Sequence, residues 1–322
     1  MRLQIRKTGP YGFGLMYHVI HLADDVPTLN DWYGKVFDAD WWWPAEGLNW
    51  SEVEDRYASL LAVSDLCVET MAPKLPPNAE YPVARYFLRH GARFHSLSSL
   101  VDDIEGFAQH LLDRDVYIGM PGGGRMEKVP PDIYYFYPSP RSVGGLNLQI
   151  TRNTDGAFSP AVGTDPRIQD DWSERARRWS DQHPLGIERT GYATMAVADV
   201  DASHALLLDL WGAAPVHDGV DEERGVRSRF VQLGHLLLEL ASPLPSTTTT
   251  NAPMADHIDR FGDALYQMTF LVRDLDAVEA YLPTVGVRCA RTSPAVVSAE
   301  VDDCLGANYA FSTRTCPSDP LG

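Results

Sequence analysis

A short apolar strand that runs into an aspartate and then an amphipathic helix occurs four times along this 322-residue chain, beginning near His18, His95, Tyr192 and Gln267. A pattern recurring in this way implies a fold assembled from copies of one supersecondary unit. Asp25, Asp103, Asp199 and Asp274 stand where a helix N-cap belongs, because a short carboxylate there accepts from the free N–H groups of the first turn. The stretches behind them are apolar at helical spacing: Leu29, Trp32, Tyr33 and Val36; Ile104, Phe107 and Leu111; Leu275, Val278 and Leu282. The units close alternately. The first and third end on LCVETMAP and LLLELASP, strands carrying Glu69 and Glu239 shortly before a proline. The second and fourth end on GLNLQITR and GANYAFSTR, each Gly-x-Asn followed by an alternating strand.

Odd units match odd and even match even, so the four units form two pairs. Asp103 and Asp199 are spaced more widely than the other neighbouring caps, which places the boundary between the pairs. The expected organisation is a first domain over 1–152, a linker over 153–187 and a second domain over 188–322. The linker contains a turn-rich stretch, NTDGAFSPAVGTDP, and a short connecting helix in IQDDWSERARRW. Arg175, Arg177 and Arg178 are expected on its solvated face, balanced by Asp170, Asp171 and Glu174. The Ser/Thr run at 246–250 reads as a surface loop. Gly122, Gly123 and Gly124 lack the Lys-Ser/Thr ending of a phosphate loop and read as a hairpin or lid.

Charge narrows the partners. Lys and Arg number 27 against 44 Asp and Glu, a net charge of −17 that repels nucleic acid and anionic membrane surfaces. No apolar run reaches the roughly 18 residues of a membrane span, and the N-terminal residues lack the apolar core of an export signal, so a cytoplasmic protein is expected. Cys67, Cys289, Cys304 and Cys316 form no CxxC pair and imply neither a disulfide framework nor a thiolate zinc site.

The doubled strand–capped helix–strands unit, ending on an inward Glu or Gln, resembles the vicinal oxygen chelate superfamily. That group includes glyoxalase I, methylmalonyl-CoA epimerase, bleomycin-resistance proteins and extradiol dioxygenases. The resemblance covers about residues 11–315. It implies an α+β fold of four βαβββ modules, paired into two similar domains, each a curved mixed sheet around a pocket. It also implies a ligand at the start of the first strand and on the last strand of each module. Carried over, the first domain offers His18, Glu69, His95 and Gln149 for a divalent Fe, Mn, Co, Ni or Zn ion. His18 lies seven residues before Asp25, but His95 lies eight before Asp103, so an unbroken strand would present Ser96 and a β-bulge is needed to bring His95 inward. Glu69, on an apolar strand, needs a partner, for which Arg85 and Arg93 are candidates, or a role as base. The second domain offers Tyr192, Glu239, Gln267 and Ala310, a set without histidine that is expected to be structural.

Trp42, Tyr135 and Tyr137 are candidates for the wall of the pocket, which would suit a small, largely apolar or aromatic oxygenated substrate. The expected chemistry is metal-stabilised enolate or alkoxide formation of isomerase or lyase type, with Glu69 as base. A non-haem Fe(II) dioxygenase and a metal-free sequestering protein of the resistance type are the alternatives. A homodimer is expected by analogy.

Overall fold

The computed structural model describes residues 3–44, 47–154, 164–245 and 251–321. In chain order the first half forms β1 (Phe13–Leu22), α1 (Val26–Phe37), β2 (Asp40–Trp43), β3 (Asn49–Ser51), β4 (Arg56–Val63), β5 (Leu66–Pro73), α2 (Pro82–His90), β6 (Arg93–Val101), α3 (Ile104–Leu112), β7 (Ile118–Gly119), β8 (Tyr135–Pro138) and β9 (Leu148–Arg152). A short helix, α4 (Trp172–Arg177), precedes the second half. There follow β10 (Ile187–Ala196), α5 (Val200–Trp211), β11 (Ala214–Asp221), β12 (Val226–Leu233), β13 (Leu236–Pro243), α6 (Ala252–Phe261), β14 (Ala264–Val272), α7 (Leu275–Tyr281), β15 (Cys289–Ser293), β16 (Val296–Ala299) and β17 (Tyr309–Ser312).

All four repeat helices start at the expected caps: Asp25, Asp103, Asp199 and Asp274 each accept a backbone N–H from the first turn. Each half is one mixed sheet. The first runs β2-β4-β5-β1-β6-β9-β8-β7 with β3 beside β4, and the second runs β11-β12-β13-β10-β14-β17-β16-β15. The two modules of a half thus join through their opening strands, β1 to β6 and β10 to β14, which run antiparallel.

Because side chains alternate across a strand, this register sorts the residues by face. Val19, Val68, Leu97 and Leu148 turn to one side and enter a core that also takes in α1, α3 and second-half residues such as Phe270 and Tyr309. The helix-bearing sides of the two sheets meet there: Phe13 and Phe107 pack on Trp211, and Phe37 on Phe270. Tyr33 Oη lies 2.5 Å from Tyr309 Oη, and Trp32 Nε1 donates to Asp303 O at 2.8 Å.

The Gly-x-Asn motifs find their reason at this junction. Gly145 (φ +81°) sits against Asp263 and Gly306 (φ +87°) against Ala92 O, where an added Cβ would lie 2.5 and 2.0 Å from its neighbour. Each glycine therefore lets one half approach the other half's last-unit opening strand, and the asparagine behind it begins the closing strand pairing: Asn147 O accepts from Leu97 N, and Asn308 O from Met268 N.

The linker departs from expectation. Its arginines do not answer to Asp170, Asp171 or Glu174; Arg175 reaches Asp40 at 2.6 Å, and Arg178 lies 3.6 Å from Asp40 and 3.9 Å from Asp38. Trp172 and Trp179 are buried, and Trp179 Nε1 donates to Phe37 O at 2.7 Å. Apolar burial of two indoles docks this segment on the first half, where charge pattern alone suggested a solvated face. Gly122, Gly123 and Gly124 all have positive φ and close the hairpin in which Met126 N bonds Ile118 O. The Ser/Thr run at 246–250 and most of the turn-rich stretch, residues 155–163, lie outside the described residues.

Candidate functional site

The other face of the first sheet gathers the polar residues. β1 runs parallel to β5 with Ile20 opposite Glu69, antiparallel to β6 with His18 opposite Ser98 and Ile20 opposite Ser96, and β6 runs parallel to β9 with Ser98 opposite Gln149. His18, Glu69, Ser96, Ser98 and Gln149 therefore share one face of four adjacent strands, and all five are buried.

His18 Nε2 lies 3.1 Å from Glu69 Oε2, and His18 is hydrogen-bonded to Gln149. Burial, reinforced by the Arg56 guanidinium, holds the His18 pKa down to about 3, so the imidazole is neutral at physiological pH. Burial raises the Glu69 carboxyl, and Arg56 pulls against that rise. The partner of Glu69 is neither Arg85 nor Arg93. Arg56 Nη1 stands 2.9 Å from Glu69 Oε1 while its Nε donates to Glu54 Oε2 at 2.9 Å. The β4–β5 register explains this: Leu60 faces Glu69, and Arg56, two same-face positions along, projects its guanidinium back to the carboxylate. Sequence reasoning missed Arg56 and Glu54. The signal was the tight Ser64-Asp65 hairpin turn, which sets that register.

His95 is placed differently. Ile20 pairs with Ser96 but His21 with Phe94, so His95 is the extra residue of a β-bulge that lies ahead of the SLSS segment. Ser96 then takes the position on β6 that His18 takes on β1. His95 Nδ1 lies 2.8 Å from Ser96 Oγ, its ring packs edge-on against Tyr86 at 4.5 Å, and it lines a cleft between the two halves. The structure brings His18, Glu69 and Gln149 together and leaves His95 beside them. Among the described residues, no three His, Cys, Asp or Glu side chains form a metal-ligand group.

Of the aromatic candidates, Tyr137 touches this set and Tyr135 lies on the same face of β8. Along β8, Phe136 points into the core, whereas Tyr135 and Tyr137 turn the other way, and Tyr137 Oη donates to Gln149 Oε1 at 2.9 Å. Trp42 packs edge-on against Tyr17 in a cluster with Leu60 and Cys67. In the second sheet the corresponding carboxylate is fully engaged: Glu239 accepts from Thr194 Oγ1 at 2.7 Å and from Arg224 Nη1 at 3.0 Å. Gln267 Nε2 donates to Thr269 Oγ1 at 3.1 Å, and Tyr192 is buried.

Buried histidines set a pH limit on the fold. His21, wedged between Tyr33 Oη at 2.9 Å and Leu305 O at 3.0 Å, has its pKa lowered by burial to about 4. Below about pH 6.5 the unfolded chain binds a proton there that the folded chain refuses. Stability therefore falls as pH drops from about 6.5 toward 4, at up to about 1.4 kcal/mol per pH unit for this histidine. Urea midpoints across that range check it, and His21→Gln is expected to flatten the slope.

Residues 193–304 match the family model described as Glyoxalase/Bleomycin resistance protein/Dioxygenase superfamily. No curated protein matches the sequence. Among solved structures, a triple mutant of 4-hydroxymandelate synthase from Streptomyces coelicolor is similar over 95% of this chain and 95% of its own, with 12% identity and a TM-score of 0.59. A xylose isomerase-like TIM barrel/4-hydroxyphenylpyruvate dioxygenase fusion protein matches 98% of this chain over 50% of its own, at 12% identity and TM-score 0.56. Methylmalonyl-CoA epimerase from Mycobacterium tuberculosis matches 41% of this chain over 90% of its own, at 23% identity and TM-score 0.36. Residues 193–304 thus match a model of this superfamily, and the whole chain has the duplicated, two-domain α+β fold read from the repeat.

Superfamily members typically use divalent metals, so the donor set must be tested against one. His18 and Glu69 present a neutral imidazole nitrogen and a carboxylate oxygen 3.1 Å apart, a separation that two ligands of one ion with bonds of roughly 2.0 to 2.2 Å can have. Gln149 adds an amide beside them. Arg56 stands between two carboxylates, Glu54 and Glu69, so the ionised cluster keeps one negative charge in excess. His18, Glu69 and Gln149 fit a divalent ion as a three-donor set.

Proposed function

We propose that this protein is a metal-dependent vicinal oxygen chelate enzyme in which His18, Glu69 and Gln149 hold a divalent Fe, Mn, Co, Ni or Zn ion. It acts on a small, largely apolar or aromatic oxygenated molecule by isomerase or lyase chemistry. The observation that carries this reading is the buried contact of neutral His18 with Glu69, 3.1 Å apart. When bound, such an ion supplies Lewis-acid polarisation of a substrate oxygen.

The chain's own residues do the rest. Glu69 is the proton-accepting group: burial raises its pKa against the pull of Arg56, which keeps it oriented through Oε1 while Oε2 faces His18. Gln149 has no basic oxygen, so proton transfer takes place on one side only, which favours isomerisation or elimination over two-base racemisation. Tyr137 orients the Gln149 amide, and Tyr135, Tyr137 and Trp42 supply aromatic surface suited to an apolar substrate.

Arg56 favours a second reading. A guanidinium already neutralises one oxygen of Glu69, as would suit a metal-free protein that sequesters an apolar compound. Elemental analysis of protein purified without chelator and reconstituted with each ion separates the two. Close to one equivalent supports the enzyme; less than about a tenth of an equivalent leaves the binding protein. If iron is retained, oxygen uptake with candidate substrates would mark a dioxygenase and overturn the isomerase or lyase assignment.

A further inference from the structure

Most arginines of the described residues meet a carboxylate, as Arg229 meets Asp201 and Asp218, or Arg288 meets Asp303. Arg89, Arg93, Arg141 and Arg260 do not: among the described residues no carboxylate oxygen lies within 4.0 Å of their guanidinium nitrogens. In a chain of net charge −17 that is unexpected, and all four line one cleft of about 780 Å³ between the two halves. The cleft is walled by the end of α2, the loop ahead of β9, the start of α5 and the turn between α6 and β14. An adjoining cavity of about 630 Å³ shares Arg93 and Arg260 with it.

Two of the four, Arg93 and Arg260, are held by partners that carry no negative charge. Arg93 is buried, its Nη2 donating to Leu265 O at 3.1 Å and lying 3.2 Å from His257 Nε2, and its guanidinium stacks 3.7 Å over the Phe261 ring. Arg260 lies 4.8 Å over the same ring. Phe261 thus carries two cations on one aromatic side chain, positioned without being neutralised. The acidic residues lining the cleft are otherwise engaged: Asp199 caps α5 through Ala202 N at 2.9 Å, and Asp263 accepts from Ala198 N at 2.8 Å. The positive field is felt by neighbouring imidazoles. Burial together with Arg93 and Arg260 holds the His257 pKa down to about 3, and His90 is lowered by burial and by Arg93, Arg89 and Arg260.

We propose that this interdomain cleft is a binding site for a small phosphate-bearing molecule, anchored by Arg89, Arg93, Arg141 and Arg260. Four guanidinium groups against Asp199 and Asp263 leave two positive charges, which a phosphate group of about −1.5 to −2 neutralises. The planar donor fork of arginine matches phosphate oxygens in a way that lysine does not, and the basic residues of the cleft are all Arg or His. The site is distinct from His18, Glu69 and Gln149, and its test does not depend on a metal.

Calorimetric titration of the full chain with inorganic pyrophosphate tests it. Saturable binding at one site is expected, and the double substitution Arg89→Gln, Arg260→Gln, both at exposed positions, is expected to weaken it at least about tenfold. Arg177→Gln, outside the cleft, is expected to leave it unchanged. Thermal melting of each variant shows that it is folded. Absence of binding below about 10 mM, an equal loss in Arg177→Gln, or tight binding of citrate in place of pyrophosphate would each overturn the proposal.

Discussion

His18→Ala is expected to lower transition-metal retention at least about 100-fold, while Glu239→Ala leaves it intact. The contrast follows from the two sheets. His18 and Glu69 present donor atoms 3.1 Å apart in the first, whereas Glu239 in the second is held by Arg224 and Thr194. Glu239→Ala instead removes the buried partner of the half-buried Arg224 guanidinium and is expected to cost stability. Metal content by elemental analysis, read beside urea unfolding, keeps the two effects apart. Retention that survives His18→Ala and fails in Glu239→Ala would place the centre in the second half and overturn the assignment. Arg56→Met is informative for the same reason: it leaves Glu69 without its cation, so metal affinity is expected to rise if an ion is the native partner.

Asp165→Ala is expected to destabilise the protein by about 3 to 5 kcal/mol, read as a lowered urea midpoint at unchanged slope. Asp165 and Arg167 are both buried and lie 2.6 Å apart. Arg167 also donates to Tyr17 O at 2.6 Å and Asp65 O at 2.9 Å, so one guanidinium ties the linker to β1 and to the β4–β5 turn. Removing the carboxylate strands a positive charge out of water, which costs more than the pair itself contributes. Replacing both residues by apolar ones, Asp165→Leu with Arg167→Met, is expected to recover much of the loss. If the double variant is as unstable as Asp165→Ala, backbone tethering by Arg167 is the larger effect.

Much of the fold was legible because it depends on local signals repeated four times. An aspartate cap behind an apolar strand is decided within a few residues, and all four caps bond as expected. The alternation along β8, with Phe136 inward and Tyr135 and Tyr137 on the site face, follows from the two-residue period of a strand. The Glu69 and Gln149 positions follow from the way the modules end. Less was legible wherever the answer depended on register or on a distant neighbour. The His95 bulge turns on one extra residue between Phe94 and Ser96, and the sequence shows the extra residue without its location. The linker helix shows many charges and two tryptophans, and only packing reveals that the tryptophans prevail.

By itself, then, the sequence determined four capped strand–helix units, their pairing into two domains and a first half richer in ligand-type side chains, since periodicity and capping are properties of short segments. Tertiary structure decided that Arg56 answers Glu69, that Ser96 rather than His95 stands opposite Ile20, and that arginines from three separate stretches of the chain line one cleft. Those outcomes depend on pairing register and on the approach of two halves through Gly145 and Gly306, distances set by the whole packed assembly and by no segment alone.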